Sequence, residues 1–123
     1  MTGLGELERR VMDVLWGSMG VQLTGRQVAD ELPDRAYTTV LTILERLRRK
    51  NLVVRTTEGK AHRFAAAASR ETYMAELMVE ALGSAQDRQA VLVRFAEAVS
   101  PEEAVVLREA LRDLPEDQDE KKP

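Results

Sequence analysis

Apolar side chains recur at helical spacing near the start of the chain. Leu7, Val11 and Leu15 follow one another at intervals of four residues, which is typical of a helix with one buried face. We therefore predict a first helix over Leu4–Trp16, with Trp16 in the core.

A second, shorter helix is predicted after Thr24. Gln27 follows Thr24 by three residues, which is the spacing of a capping box. Pro33 then ends the helical pattern, because proline lacks the N–H that a helix interior needs. The apolar stretch Val21–Leu23 before this helix is long enough for one small strand.

The third apolar pattern, over Ala36–Lys50, predicts a helix with two contrasting faces. Its inner face consists of aliphatic side chains: Val40, Ile43, Leu44 and Leu47. Its outer face is short, hydroxylic and charged: Thr38, Thr42, Glu45, Arg46 and Arg49, with Thr39 on the flank. Short threonines let base edges come close, and arginines reach phosphate or guanine. The outer face therefore favours a helix that lies in the major groove of DNA.

A β-hairpin is predicted next, with strands at Leu52–Thr57 and Ala61–Ala66. Gly59 in the connection suits a tight turn, and Val54 and Phe64 are expected to point inward. Three helices followed by a hairpin, with a strand between the first two helices, is the order of a winged helix-turn-helix. We predict a mainly α fold with a small β wing, and we place this DNA-binding domain at residues 1–68.

Residues 69–114 are predicted to form a second, helical region. Apolar positions recur at helical spacing from Tyr73 to Leu82, again over Ala85–Val99, and again after the strong start Ser100-Pro101. Short amphipathic helices need a partner for their apolar faces, and a second copy of the chain supplies one. We therefore expect a homodimer whose contacts include these side chains: Met74, Leu77, Met78, Leu82, Phe95, Leu107 and Leu111. Residues 115–123 are expected to form a charged tail.

The composition excludes several classes of site. There is no cysteine, and His62 is the only histidine, so thiolate metal sites, thiol nucleophiles and histidine-rich zinc sites are ruled out. His62 is interpreted as a packing residue of the hairpin. We expect no enzyme activity, no metal and no cofactor. No apolar run is long enough to span a membrane and the first residues lack a signal-peptide core, so we expect a cytoplasmic protein.

The net charge of −3 hides an uneven distribution. Residues 1–68 carry +3 and residues 69–123 carry −6, and the segment Arg46–Arg63 has seven basic residues against Glu58 alone. Because the local field attracts phosphate, we predict that DNA is contacted by these side chains: Thr38, Thr39, Thr42, Arg46, Arg49, Lys50, Lys60 and Arg63. Glu45, on the same face, either repels phosphate or accepts from a cytosine amino group, and the sequence leaves both open.

Three segments resemble the penicillinase-repressor family, of the BlaI/MecI type. They are AYTTVLTILERLRRKNLVVR at 36–55, HRFAAA at 62–67 and LVRFAEAVSPEEAVVLREALRDL at 92–114. The resemblance implies a homodimeric repressor of β-lactam-resistance genes that binds palindromic operators. Thr39, Thr42 and Arg46 match the family's recognition helix, whereas Thr38 and Leu41 replace basic residues of staphylococcal-type members, which puts the operator sequence in doubt.

The resemblance also implies a means of release from DNA. Relatives are cut by proteolysis when a membrane β-lactam sensor is activated, and the matching bond here is Arg94–Phe95, with Arg94 in place of the usual asparagine. A copper-responsive branch uses C-terminal cysteines, which this chain lacks. Two alternatives stay open: a winged-helix regulator that binds a small effector and is not cleaved, and a winged-helix adaptor that binds proteins instead of DNA.

Overall fold

A computed structural model describes residues 3–115 of the chain. The elements follow in this order: α1 (Glu6–Trp16), β1 (Leu23–Thr24), α2 (Gly25–Asp30), α3 (Tyr37–Arg49), β2 (Val53–Glu58), β3 (Ala61–Ala66), α4 (Arg70–Gly83), α5 (Arg88–Ala98) and α6 (Pro101–Arg112). The predicted mainly α fold with a small β wing is confirmed. The predicted tail, apart from Pro115, lies outside the described residues.

The inner face of α3 packs into the core of the first compact unit, which ends at Glu80. Val40, Leu44 and Leu47 are fully buried, and Ile43 is nearly so. They share one cluster with the buried faces of α1 and α2, and Trp16 belongs to it as predicted. Each such aliphatic side chain contributes about 1.5–3 kcal/mol when it leaves water, so burial holds α3 in one rotation about its axis.

Helix α2 begins at the predicted capping box and lies very close to α3. The Thr24 hydroxyl accepts from the Gln27 amide at 3.1 Å, and the Gln27 side chain accepts from the Thr24 amide at 2.8 Å. A Cβ placed on Gly25 would lie 2.5 Å from Cδ2 of Leu41. The absence of a side chain at Gly25 therefore allows the close approach of the two helices.

The C-terminus of α3 is closed by a Schellman motif. The Leu52 amide donates to the Leu47 carbonyl, and the Asn51 amide donates to the Arg48 carbonyl, both at 3.0 Å. Asn51 has a φ of 66°, the left-handed conformation that asparagine tolerates better than most residues. This motif turns the chain from α3 directly into β2.

The sheet has the strand order β1-β3-β2, and all its pairings are antiparallel. Phe64 is buried as predicted, but the inward position of Val54 was predicted wrongly: Val53 is 3% exposed and Val54 is 50% exposed. Phe64 lies opposite Arg55, so the residue two positions before Arg55, which is Val53, shares its face. Because side chains alternate between the two faces of a sheet, an error of one residue assigns every side chain of the strand to the opposite face.

The first unit includes most of α4, and so extends past Ala68, the predicted end of the DNA-binding domain. Tyr73 is buried, with its ring centroid 5.5 Å from that of Trp16, and Trp16 Nε1 donates to the Ala68 carbonyl at 3.1 Å. Leu77 packs against the same core. The start of α4 therefore completes the core of the winged helix.

The second unit begins at Ala81 and contains α5 and α6. Asp87 caps α5 by accepting from the Ala90 amide at 3.0 Å, so this helix starts three residues later than predicted. The predicted start of α6 is confirmed, because Ser100 accepts from the Glu103 amide at 3.0 Å and Glu103 accepts from the Ser100 amide at 2.9 Å. Neither helix has a buried residue.

Candidate nucleic-acid interface

The outer face of α3 is open to solvent, as its sequence pattern predicted. Thr38, Thr42, Arg46 and Arg49 are exposed, and Thr39 is half-buried on the flank. The Thr42 hydroxyl donates to the Thr38 carbonyl at 3.0 Å, so its proton is already used within the helix. Thr42 therefore presents its oxygen as an acceptor and its methyl group, which is the group that contacts a thymine methyl in a major groove.

Glu45 lies among three arginines on this face. The Arg48 guanidinium donates to both carboxylate oxygens of Glu45, from Nε at 3.0 Å and through a second, shorter bond. Arg49 from the next helical turn lies 3.5 Å from the carboxylate, and Arg55 from β2 lies 3.6 Å from it. Arg48 chiefly, with the charges of Arg55 and Arg49, lowers the pKa of Glu45 below its ordinary value. This arginine cluster, Arg48, Arg49 and Arg55 around Glu45, also connects the wing to α3.

Lys50, which was predicted to contact DNA, pairs with a buried carboxylate in the structure. Its Nζ donates to both side-chain oxygens of Glu8, at 2.9 and 3.1 Å, and Glu8 also accepts from the Gly5 amide at 3.1 Å. Burial alone would raise the pKa of Glu8, but the hydrogen bonds from Lys50 and Gly5 outweigh it and lower the pKa. Lys50 therefore has a structural role between α1 and α3.

The basic residues of the wing differ in whether they form an ion pair. Gly59, with a φ of 61°, stands first in the two-residue connection between Glu58 and Ala61, as in a type II′ turn. Lys60, the second residue, is exposed and forms no ion pair within residues 3–115. Arg63 on β3 lies 3.6 Å from Glu58. The tip of the wing therefore carries a free cation, and its stem carries a paired one.

His62 lies on the wing at the edge of this surface. It is exposed, and its Nδ1 is 2.9 Å from the Thr57 hydroxyl on the neighbouring strand. Within the described part of the chain, no group of three or more His, Asp or Glu side chains is arranged to hold a metal ion. No helix of residues 3–115 has the length and apolarity to cross a membrane.

The sequence pattern did not indicate that an arginine of α2 lies beside the N-terminal end of α3. The guanidinium carbon of Arg26, on α2, lies 4.1 Å from the centroid of the Tyr37 ring, which is a cation–π contact. The contact holds the guanidinium beside the N-terminal end of α3. Both residues are exposed, so the cation stays accessible from solvent. Nothing in the spacing of Arg26 and Tyr37 signals the contact, because it depends on how α2 crosses α3.

Comparison with known proteins supports a single family. The profile of the penicillinase repressor family matches residues 4–113. The transcriptional regulator BlaI of Mycobacterium tuberculosis, known from two strains, is 49% identical over 120 residues; the match covers 93% of this chain and 86% of that protein. Proteins of this kind are transcriptional regulators, a non-enzymatic class.

Two solved structures resemble the fold at 17% identity. One is MepR, a transcription regulator of the Staphylococcus aureus multidrug efflux pump MepA, with a TM-score of 0.50 over 89% of this chain and 76% of that one. The other is a variant of MepR bound to an oligodeoxyribonucleotide, with a TM-score of 0.51 over 89% and 75% of the two chains. At this identity the likeness shows the winged-helix fold alone.

Lys50 and Lys60 should respond in opposite ways to the same substitution. Lys50→Met leaves the carboxylate of Glu8 buried without its cation, so we expect urea denaturation to show a decrease of about 2–4 kcal/mol in the free energy of unfolding. Lys60→Met should leave stability unchanged and should reduce the slope of log K against log salt by about one unit, because one cation no longer meets a phosphate. A Lys50 variant with full stability would contradict the structural role of the ion pair, and a reduced slope in that variant would support the predicted contact of Lys50 with DNA.

Proposed function

The chain belongs to the penicillinase repressor family, and from this premise we propose that it is a homodimeric repressor of β-lactam-resistance genes. It binds a palindromic operator and is released by proteolysis between Arg94 and Phe95. The observation that carries the proposal is the outer face of α3. Burial of the inner face leaves the threonines and arginines of the outer face exposed to solvent beside a basic wing. Exclusion of RNA polymerase from the promoter then represses transcription.

The proposed DNA-contacting set is Thr38, Thr39, Thr42, Arg46, Arg49, Lys50, Lys60 and Arg63, and its members differ in exposure and in whether their charge is paired. Arg46 is exposed, and its side chain forms no hydrogen bond or ion pair among residues 3–115, which makes it the arginine of α3 most available to a guanine or a phosphate. Thr38, Thr39 and Thr42 lie beside it, and Arg49, Lys60 and Arg63 extend the set toward the wing. In a two-fold dimer, two such surfaces meet half-sites separated by about one helical turn, ~34–36 Å.

Loss of Arg46 should weaken operator binding more than loss of a paired arginine elsewhere. We expect Arg46→Ala to cost about 1–3 kcal/mol in fluorescence-anisotropy titrations against operator DNA. The control is Arg10→Ala, because Arg10 pairs with Asp34 through two hydrogen bonds of 2.7 and 3.0 Å. Log K for the wild type should fall with log salt at a slope near roughly −7 if each protomer contacts about four phosphates. An affinity independent of salt, or unchanged in Arg46→Ala, would contradict this surface.

The exposed apolar side chains of α4, α5 and α6 support the homodimer. Met74 and Met78 are 50% and 55% exposed on α4, whereas Leu77, also predicted at the interface, packs on the protomer's own core. In the second unit the proposed contacts are Leu82, Phe95, Leu107 and Leu111, of which Leu111 is 58% exposed. Soluble proteins rarely leave such apolar surface uncovered, and a second copy covers it with the same residues. We propose residues 69–114 as the dimerisation region.

A charge placed on the apolar stripe of α6 should dissociate the dimer. We expect the full chain to sediment as a dimer at micromolar concentration and Leu111→Asp to sediment as a monomer, because a carboxylate cannot be buried unpaired. The matched control is Val106→Asp on the same helix, where Val106 is 67% exposed and lies off the stripe of Leu107 and Leu111. Helical circular dichroism should be the same in all three proteins. A dimeric Leu111→Asp variant would exclude α6 from the interface.

We propose that cleavage of the bond between Arg94 and Phe95 ends dimerisation. The bond lies in α5, the side chain of Arg94 is 82% exposed, and α5 has no buried residue in the protomer. Local opening of such a helix requires little free energy, and a protease needs an opened, extended segment. Cleavage there would separate α6 from the DNA-binding domain.

Cleavage is tested by co-expression with a membrane β-lactam sensor, followed by mass measurement of the chain after a β-lactam is added. We expect a fragment that ends at Arg94 and loss of operator binding in the same extract. A sensor that cannot be acylated serves as the control and should leave the chain intact. Release from the operator with an intact chain would instead favour the regulator that binds a small effector.

A further inference from the structure

Glu45 is the one acidic side chain on the outer face of α3, which is the groove-facing side in the proposed complex. In the helical projection it lies between Leu41 and Thr38, with Arg49 and Thr42 on the far side of Thr38. A cleft of about 430 Å³ opens on this side, lined by Leu41, Thr42, Glu45, Arg46 and Arg49. If α3 enters the major groove, the Glu45 carboxylate faces base edges at close range.

The arginine cluster removes the repulsion that would otherwise oppose this approach. Arg48, Arg49 and Arg55 all lie within 3.6 Å of the carboxylate, so the group approaches DNA as part of a cationic assembly. The same interactions fix the position of the carboxylate and keep it ionised, because they lower its pKa. An ionised carboxylate only accepts hydrogen bonds, and its two oxygens offer about four acceptor positions. Arg48 occupies two of them, so some remain for a base.

The major groove offers few partners to an acceptor of this kind. Guanine presents N7 and O6 and thymine presents O4, all of which are acceptors, whereas the cytosine amino group is a donor that Asp and Glu accept from. A carboxylate desolvated against an acceptor loses its hydrogen bonds to water without replacement. Adenine presents a donor beside an acceptor, which fits an amide better than a carboxylate.

We propose that Glu45 is a specificity-determining residue that requires a cytosine amino group at one position of each half-site. Arg48 and Arg55 act on this choice as positioning residues, because they hold the carboxylate from the side of the wing. This proposal rests on the proposed DNA-binding function and adds to it the base that one side chain selects.

The test is selection of duplexes from a library with randomised half-sites, with the full-length chain as the wild type, as Glu45→Gln and as Glu58→Gln. Glu58 is the matched control because it is a wing glutamate that also pairs with an arginine, Arg63, and is 72% exposed. Both variants remove one negative charge from the basic region. Only Glu45→Gln changes the groove-facing side of α3.

We expect the wild type and Glu58→Gln to enrich cytosine at one position of each half-site. Glu45→Gln should keep the other preferences and at that position relax or turn to adenine, the base that glutamine binds through two hydrogen bonds. Replacement of that C·G pair should weaken the binding of the wild type about tenfold, which is within the range for one specific base contact. The same replacement should weaken the binding of Glu45→Gln by less than about twofold.

The other outcomes separate the two levels of the proposal. An unchanged cytosine preference in Glu45→Gln, or its loss in Glu58→Gln as well, would overturn the role of Glu45, as would a wild-type selection without that cytosine. If the wild type enriched no sequence at all, the proposed operator binding itself would fail.

Discussion

The rotation of α3 about its own axis is the constraint on which the recognition surface depends. Val40, Leu44 and Leu47 are fully buried, and any other rotation would return these side chains to water. Since helical spacing is fixed, burial of that face leaves Thr38, Thr42, Arg46 and Arg49 exposed on the other. Gly25 allows α2 to lie close to α3, and the Schellman motif at Asn51 sets where the wing starts.

Carboxylates determine how much of the basic charge is available to DNA. Glu8 holds Lys50, Glu45 holds the arginine cluster and Glu58 lies near Arg63. The excess of basic residues between Arg46 and Arg63 is therefore larger than the number of cations free to meet phosphate. Glu8 stabilises the junction of α1 and α3, whereas Glu45 lies on the outer face of α3, which is the face proposed to contact bases.

The two compact units differ in how far they bury their apolar side chains within one chain. The first unit buries its core within one chain and recruits the start of α4 through Tyr73 and Leu77. The second unit buries none of the residues of α5 or α6, which is the basis of the proposed pairing with a second copy. The proposed cleavage in α5 would therefore act on the proposed dimerisation region and leave α3 unchanged.

The sequence by itself determined the order of the elements, the inner face of α3, the capping boxes at Thr24 and Ser100, and the exposed threonines and arginines. Those features depend on local periodicity and on interactions within a few residues. The tertiary structure alone decided that Val53 faces the core in place of Val54, that Lys50 neutralises Glu8, that Arg26 stacks on Tyr37 and that Arg55 joins Glu45. Each of these depends on strand register or on the crossing of two elements distant in sequence, which side-chain spacing along the chain does not encode.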